Sequence, residues 1–252
     1  MCMMRFSLRE YAHTDRTQLE RGSAAQTHTS QAPLTVKATL PTSVRPSSAK
    51  YRSANDFESQ APKSVILRDT PGHGKLRHHA LTALSSILSA KALPSSRNIL
   101  FVVDAADLSA ASAGLREAAE YLYDVLLAVQ KAYESATTSK SREVNVLIAA
   151  NKMDLFTALP TEVVKKSLER ELSTLGETKA KGISAVGTKG EGLGDAGDDE
   201  DEKDVLGGYG EGAFHFAQMQ EFDCQVEVLG GNVVGGDGPG VNGWWEWIAL
   251  QM

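Results

Sequence analysis

The stretch SVILRDTPGHGKLRHHAL, residues 64–81, changes from a strand pattern to a helix pattern at a short polar turn. Its apolar start predicts a strand, and the apolar residues from Leu76 onward recur at helical spacing. The turn between them consists of Asp69, Thr70, Pro71, Gly72 and His73. A turn of this composition between a strand and a helix is typical of a sensor for the terminal phosphate of a nucleotide.

The turn at residues 69–73 fits the DxxG pattern of GTPases. Asp69, at the strand end, can hold Mg²⁺ through a water molecule, because Mg²⁺ keeps several of its waters. Gly72 lets the backbone approach the γ-phosphate and swing away when that phosphate leaves. His73 would then point at the attacking water and position it. Alone, the pattern also fits an ordinary strand–turn–helix whose Pro-Gly pair makes the turn.

The rest of the chain continues the alternation of strands and helices. Apolar runs predict further strands at residues 34–40, 98–104, 144–152 and 224–231, and a shorter strand near residues 49–52. Helical spacing predicts a helix after each of three strands and a last helix over residues 243–252. This order predicts an α/β fold of the P-loop-NTPase and small-GTPase type, a mostly parallel sheet with helices on both faces.

Three loops of suggestive composition follow predicted strands, at residues 69–73, 104–107 and 151–154. In a parallel sheet the carboxyl ends of the strands meet at one edge, where ligands bind. We therefore expect these loops to lie close together. Their convergence indicates a binding site more strongly than any single motif does.

Asn151, Lys152, Met153 and Asp154 fit the NKxD pattern and directly follow the apolar run VLIAA. The Asp154 carboxylate can accept hydrogen bonds from N1–H and the exocyclic amine of guanine, a donor pair that adenine lacks. The stem of Lys152 can lie along the base, and Asn151 can tie the loop to its neighbours. The same residues also fit an ordinary strand-to-helix turn. Together with the DxxGH turn in this order, they predict a GTPase fold.

A third loop that contacts guanine is expected after the last strand. Gly230, Gly231 and Asn232 directly follow that predicted strand. Ser184 and Ala185 match the more usual Ser-Ala-Lys sequence of such loops, but no good apolar strand precedes them. The context therefore favours the loop at residues 230–232 and marks the Ser-Ala pair as a chance match.

The phosphate-binding motif GxxxxGK[ST] does not occur in the 252 residues. The backbone N–H groups and the lysine of that loop supply most of the binding to the β- and γ-phosphates. We therefore expect an affinity for GTP that is weaker by orders of magnitude than in proteins with this loop. The sequence alone does not assign GTP hydrolysis to this chain.

The net charge of −6 is accounted for by the run from Asp195 to Asp204, which contains seven acids and one lysine. The rest of the chain is then neutral, which gives no support for a nucleic-acid-binding surface, since such a surface needs a clustered basic excess. The two cysteines, Cys2 and Cys224, form no disulfide framework and favour a reducing compartment. No apolar run approaches the roughly 18 residues of a membrane span.

Histidines and tryptophans outside the motifs suggest two further sites. His78 and His79 follow the turn, but adjacent histidines on a helix point about 100° apart, which is a poor geometry for a metal. We interpret them as surface or partner-facing residues. Trp244, Trp245 and Trp247 lie on the predicted last helix. We interpret these tryptophans as core residues with a wet edge rather than as an exposed recognition patch.

A longer similarity rests on the blocks DTPGHGKLR, NILFVVDAAD, EYLYDVLLAVQ, IAANKMDLFTA, LERELSTL and VEVLGG…WWEWI. Together they resemble the β-subunit family of the signal recognition particle receptor, in a fungal-type form. The resemblance runs from about residue 19 to the C-terminus and includes the long variable insertion before the last strand. It implies an Arf-like small GTPase with GTP or GDP and Mg²⁺ as cofactors.

The resemblance implies roles for individual residues. Asp69 and Gly72 would face Mg²⁺ and the γ-phosphate, and His73 would lie beside the attacking water. Thr29 or Ser30 would contribute a hydroxyl to Mg²⁺. The residues that contact guanine would be Asn151, Lys152, Asp154, Gly230, Gly231 and Asn232.

The resemblance also implies a cellular role. Members of the family are anchored at the cytoplasmic face of the endoplasmic reticulum membrane by an N-terminal helix. In the GTP state they bind the N-terminal domain of the receptor α subunit. That complex receives ribosomes with nascent secretory chains for the translocon, and the β subunit itself does not bind nucleic acid directly.

The first residues depart from the family pattern. Members have a membrane helix, a first strand and the phosphate loop before the segment that matches LERG, residues 19–22. Residues 1–18 match none of these, so we interpret the chain as N-terminally truncated or mis-spliced. The predicted organisation is an atypical N-terminus over residues 1–18 and a GTPase-like domain over residues 19–252. A mobile, acidic, glycine-rich insertion is predicted near residues 187–212.

Three functions compete at this point. The first is a receptor β subunit that acts as a GTP switch. The second is a GTPase-shaped scaffold that binds a protein partner through the switch surface and holds no nucleotide. The third is a translation-factor-type GTPase, which the neutral body of the chain and the sequence GKLR after His73 disfavour. The missing phosphate loop distinguishes the first two functions, because its absence favours the scaffold whereas the family resemblance favours the switch.

Overall fold

The computed structural model describes residues 2–4, 31–41, 44, 63–88, 97–109, 112–135, 143–187, 205–207, 212–235, 238 and 240–252. The strands are β1 (Cys2–Met4), β2 (Leu34–Thr39), β3 (Ser64–Asp69), β4 (Arg97–Asp104), β5 (Val144–Asn151) and β6 (Cys224–Gly230). The helices are α1 (Arg77–Leu88), α2 (Ala113–Glu134), α3 (Thr161–Gly187) and α4 (Asn242–Leu250), with 3-10 turns at Gly74–Leu76 and Phe216–Phe222. The strand predicted near residues 49–52 lies outside the described residues.

Four strands form a parallel sheet in the order β1–β4–β5–β6, and β2 and β3 form an antiparallel pair. Strands β4 and β5 pair from Arg97 opposite Val144 to Asp104 opposite Asn151. Because these strands are parallel and in register, their carboxyl ends lie level with each other. The prediction of a mostly parallel sheet in an α/β fold is confirmed.

Strand β4 is buried on both faces. Ile99, Phe101 and Val103 pack in the core formed with α1, α2 and α3. Leu100 and Val102 pack in a second core formed with α4 and the β2–β3 pair. Burial on both faces explains why the sequence of this strand is continuously apolar rather than alternating. Helices therefore cover both faces of the sheet, as predicted.

Helix α2 has the amphipathic pattern expected of a helix that packs on a sheet. The Oγ atom of Ser112 caps its start by accepting a hydrogen bond from the Leu115 N–H at 3.0 Å. From there Leu122, Leu126 and Val129 continue a fully buried stripe. The predicted periodicity therefore corresponds to the buried face.

Helix α4 closes the second core. Trp244, Trp245 and Trp247 are each at most 4% exposed, so the interpretation of these tryptophans as core residues is confirmed. The Nε1–H of Trp244 donates to the carbonyl of Leu229 at 3.3 Å. This contact attaches the last helix to the end of β6, close to the loop that follows.

Strand β1 comes from the atypical first residues of the chain. Cys2, Met3 and Met4 pair in parallel with Ile99–Phe101 of β4, and β1 also contacts β3. A ladder of backbone hydrogen bonds requires no particular side chains, so a sequence without a strong strand pattern can fill this position.

Helix α3 continues through Gly187, beyond the apolar residues that predicted it. Ser184 and Ala185 therefore lie in a helix rather than in a loop after a strand. This placement agrees with their interpretation as a chance match to the third guanine loop.

Residues 205–207, inside the segment predicted to be a mobile insertion, are fastened to α2. Leu206 is buried, and its N–H donates to the Tyr123 hydroxyl at 3.2 Å. The Gln130 side chain accepts from the Gly207 N–H at 3.0 Å and donates to the Val205 carbonyl at 3.2 Å. We call this contact the α2 clip.

Candidate functional site

The carboxyl ends of β4, β5 and β6 form one edge of the sheet. Asp104 stands opposite Asn151, and Ala150 stands opposite Gly230. The loops at residues 104–107, 151–154 and 230–232 are therefore neighbours. The convergence predicted from the sequence is confirmed for the loops at residues 104–107 and 151–154. It was wrong to place the turn at residues 69–73 at the end of a strand of the same parallel sheet, because this turn follows β3, which pairs antiparallel with β2 in a separate sheet.

Asn151 ties together the loops on either side of it. Its Oδ1 accepts a hydrogen bond from the Val233 N–H at 3.0 Å, in the loop after β6. Its carbonyl accepts from the Ala105 N–H at 3.0 Å, in the loop after β4. The side chain thus makes the kind of connection that the sequence predicted for it.

Lys152 has a left-handed backbone with φ of 65°, a conformation that is uncommon for residues other than glycine. The turn lets the next N–H, of Met153, donate to the Gly231 carbonyl at 3.1 Å. The Nζ atom of Lys152 forms an ion pair with Oδ2 of Asp104. The sequence did not reveal this partner, because the two residues lie 48 positions apart.

Asp154 is exposed at the edge of the sheet and lies against the glycine-rich loop after β6. A Cβ atom placed on Gly235 would come within 2.2 Å of Oδ2 of Asp154. Gly235 also has φ of 103°, a backbone conformation that L side chains rarely adopt. The carboxylate therefore lies against backbone that only glycine provides, with access to solvent for a ligand.

Gly230 is tightly packed, and Gly231 is packed too closely to carry a side chain. A Cβ atom on Gly230 would lie 3.0 Å from Cγ2 of Thr161. On Gly231 it would lie 2.7 Å from the carbonyl oxygen of Gly240 and 2.8 Å from Cζ2 of Trp244. These glycines let the third loop run directly beside the NKxD loop.

Asn232 shapes its own loop. Its Nδ2 donates to the carbonyls of Gly235 at 3.1 Å and Gly238 at 2.9 Å. Its backbone carbonyl accepts from the Gly240 N–H at 2.8 Å. The sequence predicted a nucleotide-binding residue here, and the structure adds a role in holding the glycine-rich loop closed against Asp154.

The DxxGH turn, predicted to sense the terminal phosphate, follows β3 directly. Asp69 is the last residue of β3, and Thr70 is buried behind it. His73 is exposed, and its Nδ1 accepts from the Lys75 N–H at 3.3 Å, which caps the following 3-10 turn. This local bond fixes the ring next to Gly72, at the predicted hinge.

The helix that follows the turn is anchored on α2. Arg77, the first residue of α1, donates from Nη2 to the Glu117 carbonyl at 3.0 Å. Its guanidinium lies over the Tyr121 ring, 5.0 Å from the ring centroid. These two contacts fix the start of α1, directly after the turn, on α2.

Asp69, the residue predicted to hold Mg²⁺ through water, is the last residue of β3, and the predicted hydroxyl ligands Thr29 and Ser30 lie outside the described residues. Among the residues that the structure describes, no group of three or more His, Cys, Asp or Glu side chains is arranged to hold a metal ion. The rings of His78 and His79 lie 4.0 Å apart with an interplanar angle of 39°. His78 is exposed, whereas His79 is half-buried. The described part of the chain also contains no helix that is long and apolar enough to cross a membrane.

Comparison with known sequences identifies the family. The family model described as "Signal recognition particle receptor beta subunit" matches residues 16–222. The β subunit of the Saccharomyces cerevisiae receptor is 30% identical over 212 residues, which cover 83% of this chain and 75% of the yeast protein. The Mus musculus β subunit is 33% identical over 145 residues, which cover 58% of this chain and 45% of the mouse protein.

Similar solved structures agree with the sequence comparison. The receptor SRb-GTP/SRX complex from Chaetomium thermophilum has a TM-score of 0.67 and 32% identity and covers 98% of each chain. The SRb-GDP-Mg structure from the same organism has a TM-score of 0.58 and 39% identity and covers 74% of this chain and 79% of its own. The mammalian receptor, at 22% identity and a TM-score of 0.56, supports the fold alone. The match over residues 16–222 spans well over half of the sequence, so the chain belongs to the signal recognition particle receptor β-subunit family.

Proposed function

We propose that this chain is a GTP-binding switch that docks the receptor α subunit at the endoplasmic reticulum membrane for co-translational protein targeting. The observation that carries the proposal is the meeting of Asn151, Lys152 and Asp154 with the third loop at one edge of the sheet. Similarity to proteins solved with GTP and with GDP and Mg²⁺ supports it.

The edge has the chemistry that guanine recognition requires. The exposed Asp154 carboxylate can accept from N1–H and from the exocyclic amine, and the stem of Lys152 can cover one face of the base. Gly230, Gly231 and Asn232 form the neighbouring loop, and the bond from the Met153 N–H to the Gly231 carbonyl holds it beside the NKxD loop. Adenine would leave the carboxylate without its pair of donors, which gives the preference for guanine.

The DxxGH turn is proposed to respond to the phosphates. Asp69 would hold Mg²⁺ through water, with Thr29 or Ser30 as a hydroxyl ligand, and Gly72 would donate its N–H toward the γ-phosphate. His73 would orient the attacking water if hydrolysis occurs. When bound, GTP supplies the phosphate whose presence or loss changes the position of the turn.

The proposed partner is the N-terminal domain of the receptor α subunit. The similar structure from Chaetomium thermophilum, a complex of SRb-GTP with SRX, supports a protein partner. Through the α subunit the chain would meet the ribosome with its nascent chain and the translocon, at the cytoplasmic face of the membrane.

Base recognition is tested with Asp154→Asn. Asparagine replaces one acceptor by a donor, so the variant should lose affinity for GDP and gain affinity for xanthosine diphosphate. Titrating both nucleotides by calorimetry measures the exchange in preference. Asp107→Asn, an exposed aspartate near the site with the same charge change, is the control and should keep the preference for GDP. A variant at position 154 with unchanged preference would show that this carboxylate does not read the base.

A nucleotide-free scaffold is the second candidate function. It is favoured by one observation, which is that GxxxxGK[ST] does not occur in the 252 residues. Titration of fluorescent GTP with Mg²⁺ is expected to give an affinity weaker by orders of magnitude than that of a family member with the loop. Submicromolar affinity would contradict this expectation. Capture of the α-subunit domain without nucleotide favours the scaffold, whereas capture that requires GTP favours the switch.

A further inference from the structure

Asp104 is the last residue of β4, and each of its two carboxylate oxygens contacts a loop at the candidate site. Its Oδ1 accepts a hydrogen bond from the Ala106 N–H at 3.0 Å, within its own loop. Its Oδ2 forms an ion pair with Nζ of Lys152, in the NKxD loop. One carboxylate thus connects the end of β4 to the residue that is proposed to cover the guanine base.

The backbone on both sides of Lys152 is already fixed. The carbonyl of Asn151 accepts from the Ala105 N–H, and the Met153 N–H donates to the Gly231 carbonyl. The remaining freedom of Lys152 lies in its side chain, which has several rotatable bonds and samples many rotamers when it has no partner. Asp104 is the partner that restricts this freedom.

The pair is too exposed to matter chiefly for stability. The side chain of Lys152 is 50% exposed and that of Asp104 is 36% exposed. Solvent-exposed ion pairs contribute little to the stability of a fold, since water screens them and ordering two side chains opposes them. A pair placed beside a binding site can still act by holding one side chain in the orientation that a ligand needs.

We propose that Asp104 is a positioning residue for guanine recognition, which acts by holding the ammonium of Lys152 so that the lysine stem covers the base. The inference rests on the proposed function, because it concerns the same guanine site. Asp104 itself does not contact the nucleotide. Its effect therefore requires Lys152, and this requirement separates the proposal from a purely local role at the end of β4.

A local role is the alternative, since Asp104 also accepts from the Ala106 N–H. Asp104→Asn distinguishes the two, because the amide oxygen can still accept from Ala106 while the negative charge beside Lys152 is lost. Asp107→Asn makes the same charge change in the same loop and is the matched control. Lys152→Met keeps an apolar stem and removes the ammonium.

The first experiment is a double-mutant cycle on GDP affinity, measured by calorimetry up to millimolar nucleotide. We expect Asp104→Asn to weaken binding about fivefold and the control to leave it unchanged. In the Lys152→Met background, Asp104→Asn should have no further effect, which is the signature of residues that act together. Equal weakening in both backgrounds, or none in either, would overturn the proposal.

The second experiment needs no nucleotide. In ¹⁵N-labelled protein, the ammonium signal that disappears in Lys152→Met is the signal of Lys152. We expect it to be observable in the unaltered protein and in Asp107→Asn, and to be lost or shifted in Asp104→Asn. An ammonium signal of Lys152 that is unchanged in Asp104→Asn would overturn the proposal. Absence of GDP binding by the unaltered protein would instead contradict the proposed function, and the ammonium signal then tests the Asp104–Lys152 contact alone.

Discussion

Single atoms decide the geometry around Asp154. Substituting Gly235→Ala would place a Cβ atom within 2.2 Å of Oδ2 of Asp154 and would force alanine into a backbone with φ of 103°. The carboxylate would have to move from its present place. We expect at least about tenfold weaker binding of guanine nucleotides, since a displaced acceptor leaves the donors of the base without partners. Titration with GDP measures the effect.

Gly238→Ala is the matched control for this change. Gly238 also has a positive φ, of 125°, but a Cβ atom placed there meets nothing within 4 Å. It therefore carries the backbone strain without the collision with Asp154. Equal losses of affinity in the two variants would show that strain in the glycine-rich loop, and not displacement of the carboxylate, causes the effect.

The sequence motifs named the candidate site residues, but they did not predict most of the contacts that these residues make. Asn151 was expected to connect loops, because an amide in this pattern has donors and acceptors for that purpose, and the structure gives it a bond to Val233. The Asp104–Lys152 pair and the bonds of Asn232 to its own loop were not foreseen. Such contacts join residues that have no periodic spacing, so no pattern in the sequence predicts them.

At the scale of elements, the third loop depends on close packing between β6 and α4. Gly231→Ala would bring a Cβ atom within 2.7 Å of a backbone carbonyl and 2.8 Å of the Trp244 ring. Overpacking of this kind destabilises a protein by about 1–3 kcal/mol, measured here as the free energy of unfolding in urea. Gly243→Ala, inside α4 with nothing within 4 Å, should instead stabilise the helix. Destabilisation of similar size in both variants would contradict this account.

Helix α3 holds the segment before β6 through a buried acid. Glu169 is 8% exposed and accepts from the Phe216 N–H at 2.9 Å. Glu169→Ala should cost about 1–3 kcal/mol in unfolding free energy, because it leaves a buried N–H without an acceptor. Glu169→Gln keeps an acceptor oxygen at the same place and should be milder. A glutamine variant as unstable as the alanine variant would point to the charge rather than to this hydrogen bond.

The elements with strong patterns could be predicted from the sequence, and the weak ones could not. The run SVILRD became β3 with the same bounds, because a short apolar run before a turn has few other solutions. Cys2–Met4 pairs with β4 by a ladder of backbone hydrogen bonds, which does not require a particular side-chain pattern in the sequence. Helix α3 likewise extends to Gly187, beyond the apolar spacing that predicted it, so the sequence pattern did not indicate where the helix ends.

At the scale of the whole molecule, Cys224 reports on global unfolding. Burial raises the pKa of its thiol from the ordinary value of 9.0 to about 12, so the reactive thiolate is scarce in the folded protein at neutral pH. In a Cys2→Ser variant, alkylation by iodoacetamide in increasing urea should follow the unfolding transition measured by circular dichroism. Rapid alkylation without urea would show that β6 opens locally.

The same thiol gives the expected sign of a pH effect. Because the pKa is higher in the folded state, the stabilisation from the neutral thiol is fully present below about pH 9 and declines as pH rises toward 12. Cys224→Ser should reduce this alkaline decline in unfolding free energy. An identical decline in the serine variant would assign it to other groups.

The α2 clip joins residues that lie between 75 and 83 positions apart in the chain, so it closes a long loop. The entropy of closing a loop grows only with the logarithm of its length, about 0.6 kcal/mol for each doubling. A short insertion between Gly187 and Val205 lengthens this loop by a small fraction. We therefore expect such an insertion to leave the free energy of unfolding nearly unchanged, which makes this stretch of sequence a suitable place for a short reporter tag.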